Sequence, residues 1–343
     1  MWQRLYNQLP EFARPTNPVM RYILAQSQPA TTRRGRLLRF GLIAILVAFA
    51  IFVGWEIATN FGATPFDASN TPDKIYLVLF WPLVLIQLIT RLAALGSTSG
   101  VVAAEVARGT WDTLKVTTEG AVLTMKSRWA AIFYRLRLLL LILLLARVVF
   151  VVVALYDLTA FQGHYLDLLL SGTTPFGQPD VSPAVLSIAG VLITAMGMTA
   201  CLLAPFTALA FDAGIGMVIA TVSRGKLLGL LGQIVLLALR IVVTGLALQI
   251  GAAALGLTQP GAWPSALIAN SPVLAWLGAL FGVAEGDMGL SLLFLTQIPH
   301  LWADLDYGAL VGVAFLIYVL LQGALANALV KWAGRRAASA EAI

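Results

Sequence analysis

Residues 136–156 read Leu-Arg-Leu-Leu-Leu-Leu-Ile-Leu-Leu-Leu-Ala-Arg-Val-Val-Phe-Val-Val-Val-Ala-Leu-Tyr. A helix needs about 20 apolar residues to cross the hydrocarbon core of a bilayer, and this stretch supplies them with only Arg137 and Arg147 interrupting. Comparable runs recur at 40–58, 75–95, 183–222, 227–257 and 309–330. Across the 343 residues 59% are hydrophobic, only 11% are charged, and the mean hydropathy is +0.88. Soluble domains carry about 25% charged residues and leave roughly a quarter of the unfolded chain's surface exposed even at about 300 residues. Lipid is therefore the solvent for most of this chain, which excludes soluble enzymes, nucleic-acid modules and secreted disulfide scaffolds. One cysteine, Cys201, permits no intrachain bridge, and two histidines, His164 and His300, leave little for metal chemistry.

Pro82 interrupts the second run, which a membrane helix tolerates. The fourth run is about twice the length of one span, so it is either one long helix bent at Pro205 or two segments meeting there. The basic residues set the orientation. With six spans and both ends inside, every one of the 22 Lys and Arg except Lys74, Arg147 and Arg240 falls on the inner side. The outer loops hold Asp67, Asp73, Asp157, Asp167, Asp180, Glu285, Asp287, Asp304 and Asp306 instead. Splitting the fourth run into two full spans would move Arg224, Lys226 and the C-terminal basic cluster outside, against that asymmetry. The net charge of +6 then reports loops held against an anionic leaflet rather than nucleic-acid binding.

The expected fold is all-α, a polytopic membrane protein with six transmembrane helices, an N-terminal interfacial helix and two short external helices. Residues 1–39 form a basic cytoplasmic segment without the apolar core of a secretory signal. Within it, residues 17–24 read either as an interfacial helix opened by Pro18 or as part of a basic tail with no fixed structure. Residues 40–95 hold spans one and two, 96–135 a cytoplasmic loop, 136–257 spans three to five, and 309–343 span six with a cytoplasmic tail. In the external region, 258–308, apolar pieces at 263–283 and 288–298 are broken by Pro264, Pro272 and Glu285-Gly286-Asp287. Short helices dipping into the outer leaflet fit them, with Trp263, Trp276 and Trp302 suited to the interface.

The loop at 96–135 carries the one informative motif. A helix with Glu105 and Arg108 three residues apart ends at Gly109, and Trp111, Leu114 and Val116 follow for packing. This stretch resembles the type-2 ABC (ATP-binding cassette) exporter permeases, which carry a pattern like E-R-E-R-G-T-W-E-L-L-L-T-T-P-L-S after their second span and then a Gly-Lys start to the next helix. Glu105, Arg108, Gly109, Thr110, Trp111, Leu114 and Thr117 match, and Met125-Lys126 stands where the Gly-Lys pair falls. Val106, Ala107 and Thr118 depart from the pattern. Asn17-Pro18-Val19 and Ser271-Pro272 also resemble the family's interfacial start and external helices.

The resemblance implies a permease that pairs with a second copy or homologue, with separate ATPase subunits docking on the cytoplasmic side. It makes Glu105, Arg108, Gly109, Thr110 and Trp111 the residues that couple the ATPases to the spans. Read without it, residues 100–135 are a solvated, membrane-apposed elbow. The alternative for the whole chain is a non-transporting structural or assembly subunit derived from such a permease. The expected place is the inner or plasma membrane, among membrane lipid, without nucleic acid.

No catalytic residue, metal ligand set or cofactor site is expected. A Walker A loop needs G-x-x-x-x-G-K-[ST], and here the sole Gly-Lys pair, Gly225-Lys226, is followed by Leu227. The chain is accordingly read as no enzyme, with any ATPase activity in a partner. Arg147, Asp212 and Arg240 are the charges inside spans, where an unpaired charge costs several kcal/mol or snorkels. Measured from the turn at 224–226, Asp212 and Arg240 lie about 18 and 24 Å along their helices, and Arg147 lies about 15 Å beyond Arg137. These depths let Asp212 pair with Arg147 or Arg240, as a clamp between helices or as a substrate-facing site. Gly190, Ala195, Gly197, Ala200 and Gly214 offer close helix packing, and Cys201 a small buried residue.

Overall fold

The computed structural model describes residues 8–27, 33–60, 71–102, 105, 109, 120–160, 183–223, 226–255, 264–265, 271–293, 308 and 310–339. Every regular element among them is helical: α1 Pro18–Ser27, α2 Arg33–Asn60, α3 Thr71–Ser99, α4 Gly120–Arg135, α5 Arg137–Ala160, α6 Pro183–Val222, α7 Lys226–Ala254, α8 Pro272–Glu285 and α9 Leu310–Ser339. Short 3-10 turns stand at Glu11–Ala13 and Met288–Leu293.

Among the described residues, five stretches are long and apolar enough to cross a membrane: Val78–Ser99, Arg137–Tyr156, Val191–Val222, Leu227–Ala254 and Leu310–Ser339. The first expected span, 40–58, lies in α2, where Phe40–Val53 is a shorter apolar stretch within the described residues. α6 runs unbroken through Pro205, so the fourth run is one helix and not two segments. At 1.5 Å per residue its 40 residues extend about 60 Å, well beyond the hydrocarbon core.

The sequence placed two external helices at 263–283 and 288–298. Within the first, α8 begins at Pro272, where the Ser271 hydroxyl accepts the Leu274 amide at 3.4 Å and proline stands in the first turn; residues 266–270 lie outside the described residues. Of the second, the described part, Met288–Leu293, is a 3-10 turn; residues 294–298 lie outside the described residues. Pro18 opens α1, and Asn17 Oδ1 caps the Val19 amide at 2.9 Å, so this part of the basic segment is helical. His164, Asp167, Asp180, Trp263 and Trp302 lie outside the described residues.

α6 packs along α9 and α3, α7 lies against α8, and α4 meets α9 and α1. The main core gathers Leu83, Leu143, Phe150, Met198, Val283 and Phe315 from α3, α5, α6, α8 and α9. Small residues set the closest approaches. A Cβ on Gly251 of α7 would stand 2.6 Å from the Gly282 Cα of α8, and one on Gly289 2.6 Å from the Phe315 ring. Gly197 faces Gly312 of α9, Gly214 faces Leu329, and Ala200 is fully buried, whereas Ala195 lies on an exposed face. Only 17% of the α7 span is buried, and Leu227, Leu230, Ile234 and Val235 point outward. An apolar outer surface of this kind suits a helix whose solvent is lipid.

Candidate functional site: a buried charge cluster and an interhelical elbow

Four charges meet where α3, α6, α7 and the C-terminal end of α8 converge. Arg91 of α3 donates from Nε to Asp212 of α6, and from a terminal nitrogen to Glu285 of α8 at 3.0 Å. Arg240 of α7 reaches Glu285 at 2.6 Å and Asp212 at 3.7 Å. Arg91, Asp212 and Arg240 are 3%, 1% and 8% exposed. Each guanidinium thus faces both carboxylates, and the four side chains sum to zero charge. A buried ion group is tolerable only when it is paired and hydrogen-bonded on these terms.

The network extends to α9. Tyr318 donates its hydroxyl to Glu285, Gln322 donates to the Tyr318 oxygen at 3.4 Å, and Thr207 of α6 donates to Gln322 at 3.0 Å. Five helices are therefore joined through one polar centre. Gln87 Oε1, Arg240 Nε and Thr244 Oγ1 are buried and make no hydrogen bond among the described residues. Gln87 stands one helical turn before Arg91, and Thr244 one turn after Arg240, on the same faces.

A second ion pair lies beside the first. Arg147 of α5, fully buried, donates to Asp287 at 2.7 Å and to the Cys201 carbonyl of α6 at 2.7 Å. The local backbone explains how Asp287 gets there. α8 stops at Glu285, the Gly286 amide closes on the Gly282 carbonyl at 3.0 Å, and Asp287 turns the chain with φ 58°. Asp is among the residues that tolerate this left-handed region, and the ion pair holds it there. A Cβ on Gly286 would meet the Gly282 carbonyl at 2.7 Å and the Leu248 amide at 3.1 Å, so glycine is what lets the turn press against α7. Cys201 donates its thiol to the Gly289 carbonyl at 2.9 Å and is buried.

These contacts revise the expected pairing. Asp212 meets Arg240 but not Arg147, whose partner is Asp287. The basic-residue asymmetry puts Arg91 with the inner loop and Glu285 and Asp287 with the outer loop; in the structure all three are members of the interior network. The signal for Arg91 was present, because it falls inside the apolar run 75–95. Nothing comparable marks Glu285-Gly286-Asp287, where acidic residues beside glycine look the same as an exposed turn.

The elbow that carries Glu105 is built differently. Glu105 is fully buried and pairs with Arg128 of α4. Gly109 has φ +68°, a left-handed conformation that glycine adopts without strain. Arg108, Thr110 and Trp111 lie outside the described residues. Met125 is buried against Ala333 and Met217, and Trp129 donates to the Ala210 carbonyl at 3.0 Å, fixing α4 to α6 and α9. Burial, and after it the neighbouring Arg135 cation, pushes the Arg128 guanidinium down to about 10, so it remains charged at neutral pH.

No group of three or more potential metal ligands occurs among the described residues. What the charge cluster can do is hold five helices in one arrangement. Compared with protein-family profiles, curated proteins and solved structures, the chain matches none.

Proposed function

We propose that this chain is the membrane-spanning subunit of an ABC-type exporter, moving a substrate outward with ATP hydrolysed by separate ATPase subunits. In this reading it has six spans with both termini cytoplasmic, sits in the inner or plasma membrane, and pairs with a second copy or homologue. The observation that carries the reading is the Glu105–Arg128 pair. It ties the segment bearing the exporter-like motif to α4, which is fixed to α6 and α9 and leads through Leu136 into α5. A push on the elbow would therefore reach three spans as a rigid displacement, which is what coupling to an ATPase requires. Glu105 acts here as an internal strut, and the contact with a partner falls to the residues after it.

The second reading, a structural or assembly subunit derived from such a permease, is favoured by two features. Ala107 stands where the family pattern has a carboxylate, and the interior polar centre is occupied by charges that neutralise one another. Purification of the native complex separates the two. Recovery of an ATPase whose activity falls when Glu105→Gln is introduced, with assembly intact, supports the exporter. Recovery of a stable assembly containing no ATPase would overturn it.

A further inference from the structure

α9 presents two unlike sides along its length. Phe315, Val319, Gln322, Ala326, Val330 and Ala333 recur at steps of three and four and are buried on the side that packs along α6 and α4. The opposite side is exposed from end to end. Leu310, Ile317, Leu321 and Leu325 lie on it, followed on the same helical face by Lys331, Trp332, Arg335 and Arg336, all exposed. Its character therefore changes once, from apolar to basic. Lys331 follows Leu310 by 21 residues, about 32 Å at 1.5 Å per residue, which matches a hydrocarbon core about 30 Å thick. An apolar face that enters the core at Leu310 thus leaves it at Lys331, with Trp332 at the level where indole rings settle.

The described helices around the basic end leave it uncompensated. Lys331 and Arg335 stand one turn apart, and neither makes an ion pair among the described residues. The Arg336 guanidinium lies 5.2 Å from the centre of the Trp332 ring, which holds it at the rim of the same patch. α9 carries no acidic residue from Leu310 to Ser339, and α4, packed on its other side, carries none either. The carbonyls that end a helix supply about half a negative charge, against three cations here. Glu341 lies outside the described residues.

We infer that this end of α9 is a binding surface for an anionic phospholipid, with the headgroup phosphate between Lys331 and Arg335, Trp332 and Arg336 beside it, and an acyl chain along Leu321, Ala324 and Ala328. The apolar part of the face selects hydrocarbon, and the cations at its edge select a headgroup that carries net negative charge over a zwitterionic one. A second copy packed symmetrically on this face would bring like charges together, so lipid is the occupant the charge favours. A lipid held there fixes the depth of α9 in the bilayer, and with it α4 on the other side. The inference needs only that α9 crosses the membrane and not that the chain is an exporter.

A photo-reactive benzoylphenylalanine in place of Ala328, one turn before Trp332 on the same face, tests it in the full chain reconstituted into vesicles of equimolar phosphatidylglycerol and phosphatidylcholine. The same probe in place of Ile241, exposed in the middle of α7, reports ordinary boundary lipid. Cross-links at position 328 should be enriched in phosphatidylglycerol relative to those at 241. A basic residue near the surface is worth about fivefold in affinity for an anionic lipid, so Lys331→Gln with Arg335→Gln should lower the ratio at 328 by at least that factor. The ratio at 241 should not move, which separates loss of the site from loss of the fold. Equal ratios at the two positions in the parent chain would overturn the inference, as would a ratio at 328 that survives both substitutions. Cross-links from 328 to another chain in place of lipid would overturn it as well. None of these results touches the exporter reading, because the assay contains no ATPase.

Discussion

Asp212→Asn is the most informative single perturbation of the interior cluster. In the parent, two guanidiniums face two carboxylates, and Arg91 and Arg240 each contact both. Removing the Asp212 charge leaves both cations to share Glu285, with one positive charge uncompensated in a buried setting. Breaking a buried pair this way costs about 3–5 kcal/mol, much of it from the orphaned charge. The distances rank the rescues. Adding Arg91→Gln leaves the Arg240–Glu285 pair at 2.6 Å, and adding Arg240→Gln leaves Arg91–Glu285 at 3.0 Å. Both doubles restore neutrality and should recover roughly 1–3 kcal/mol relative to additivity, the first more than the second. Asp212→Asn with Glu285→Gln leaves two guanidiniums without any anion and should be the least stable of all. The assay is unfolding in mixed micelles by heat or by added denaturing detergent, with each double compared with the sum of its singles. Strict additivity across the set would refute the clamp. So would Asp212→Asn melting like the parent while transport is abolished, which is the signature of a substrate-facing carboxylate.

Two further outcomes follow from the same structure, and a third from the topology expected from the sequence. Arg147→Met strands Asp287 and removes a donor from the Cys201 carbonyl; a loss of about 3–5 kcal/mol is expected, with partial recovery on adding Asp287→Gly, which accepts φ 58° without strain. In the same unfolding assay Gly251→Leu should destabilise by about 1–3 kcal/mol or more, because its Cβ already meets the Gly282 backbone at 2.6 Å; Gly245→Ala, on the same helix with nothing within 4 Å, should not. Cysteines introduced at Ala338 and Gln178 should label with an impermeant maleimide from opposite sides of the membrane, and labelling from one side would reject the six-span arrangement.

Composition and run length were enough to establish an all-helical chain in lipid. Predominantly apolar runs of span length satisfy their backbone in lipid as helices, and the runs at 136–156, 227–257 and 309–330 correspond closely to spans in the structure. Local signals were legible too: Pro18 opens a helix, Ser271 caps one, and Gly109 takes the left-handed turn. Each of these depends on a residue and its immediate neighbours. The continuity of α6 through Pro205 was not legible, because a membrane helix tolerates proline when neighbouring helices support it, and those neighbours are distant in sequence.

The charges show the same division more sharply. Hydropathy identified Arg147, Asp212 and Arg240 as costly inside a span, since the penalty for burying a charge is a property of the residue and its own run. Hydropathy does not assign partners. Arg91 and Asp212 are 121 residues apart, and Arg147 and Asp287 are 140 apart. Their meeting depends on helix rotation and on the Gly286–Asp287 turn that carries α8's acidic end into the bundle. The amino-acid sequence by itself determined which residues must find partners in the membrane. Only the packing of α3, α5, α6, α7 and α8 decided which ones they found, because pairing is a matter of relative helix position, and no local pattern encodes it.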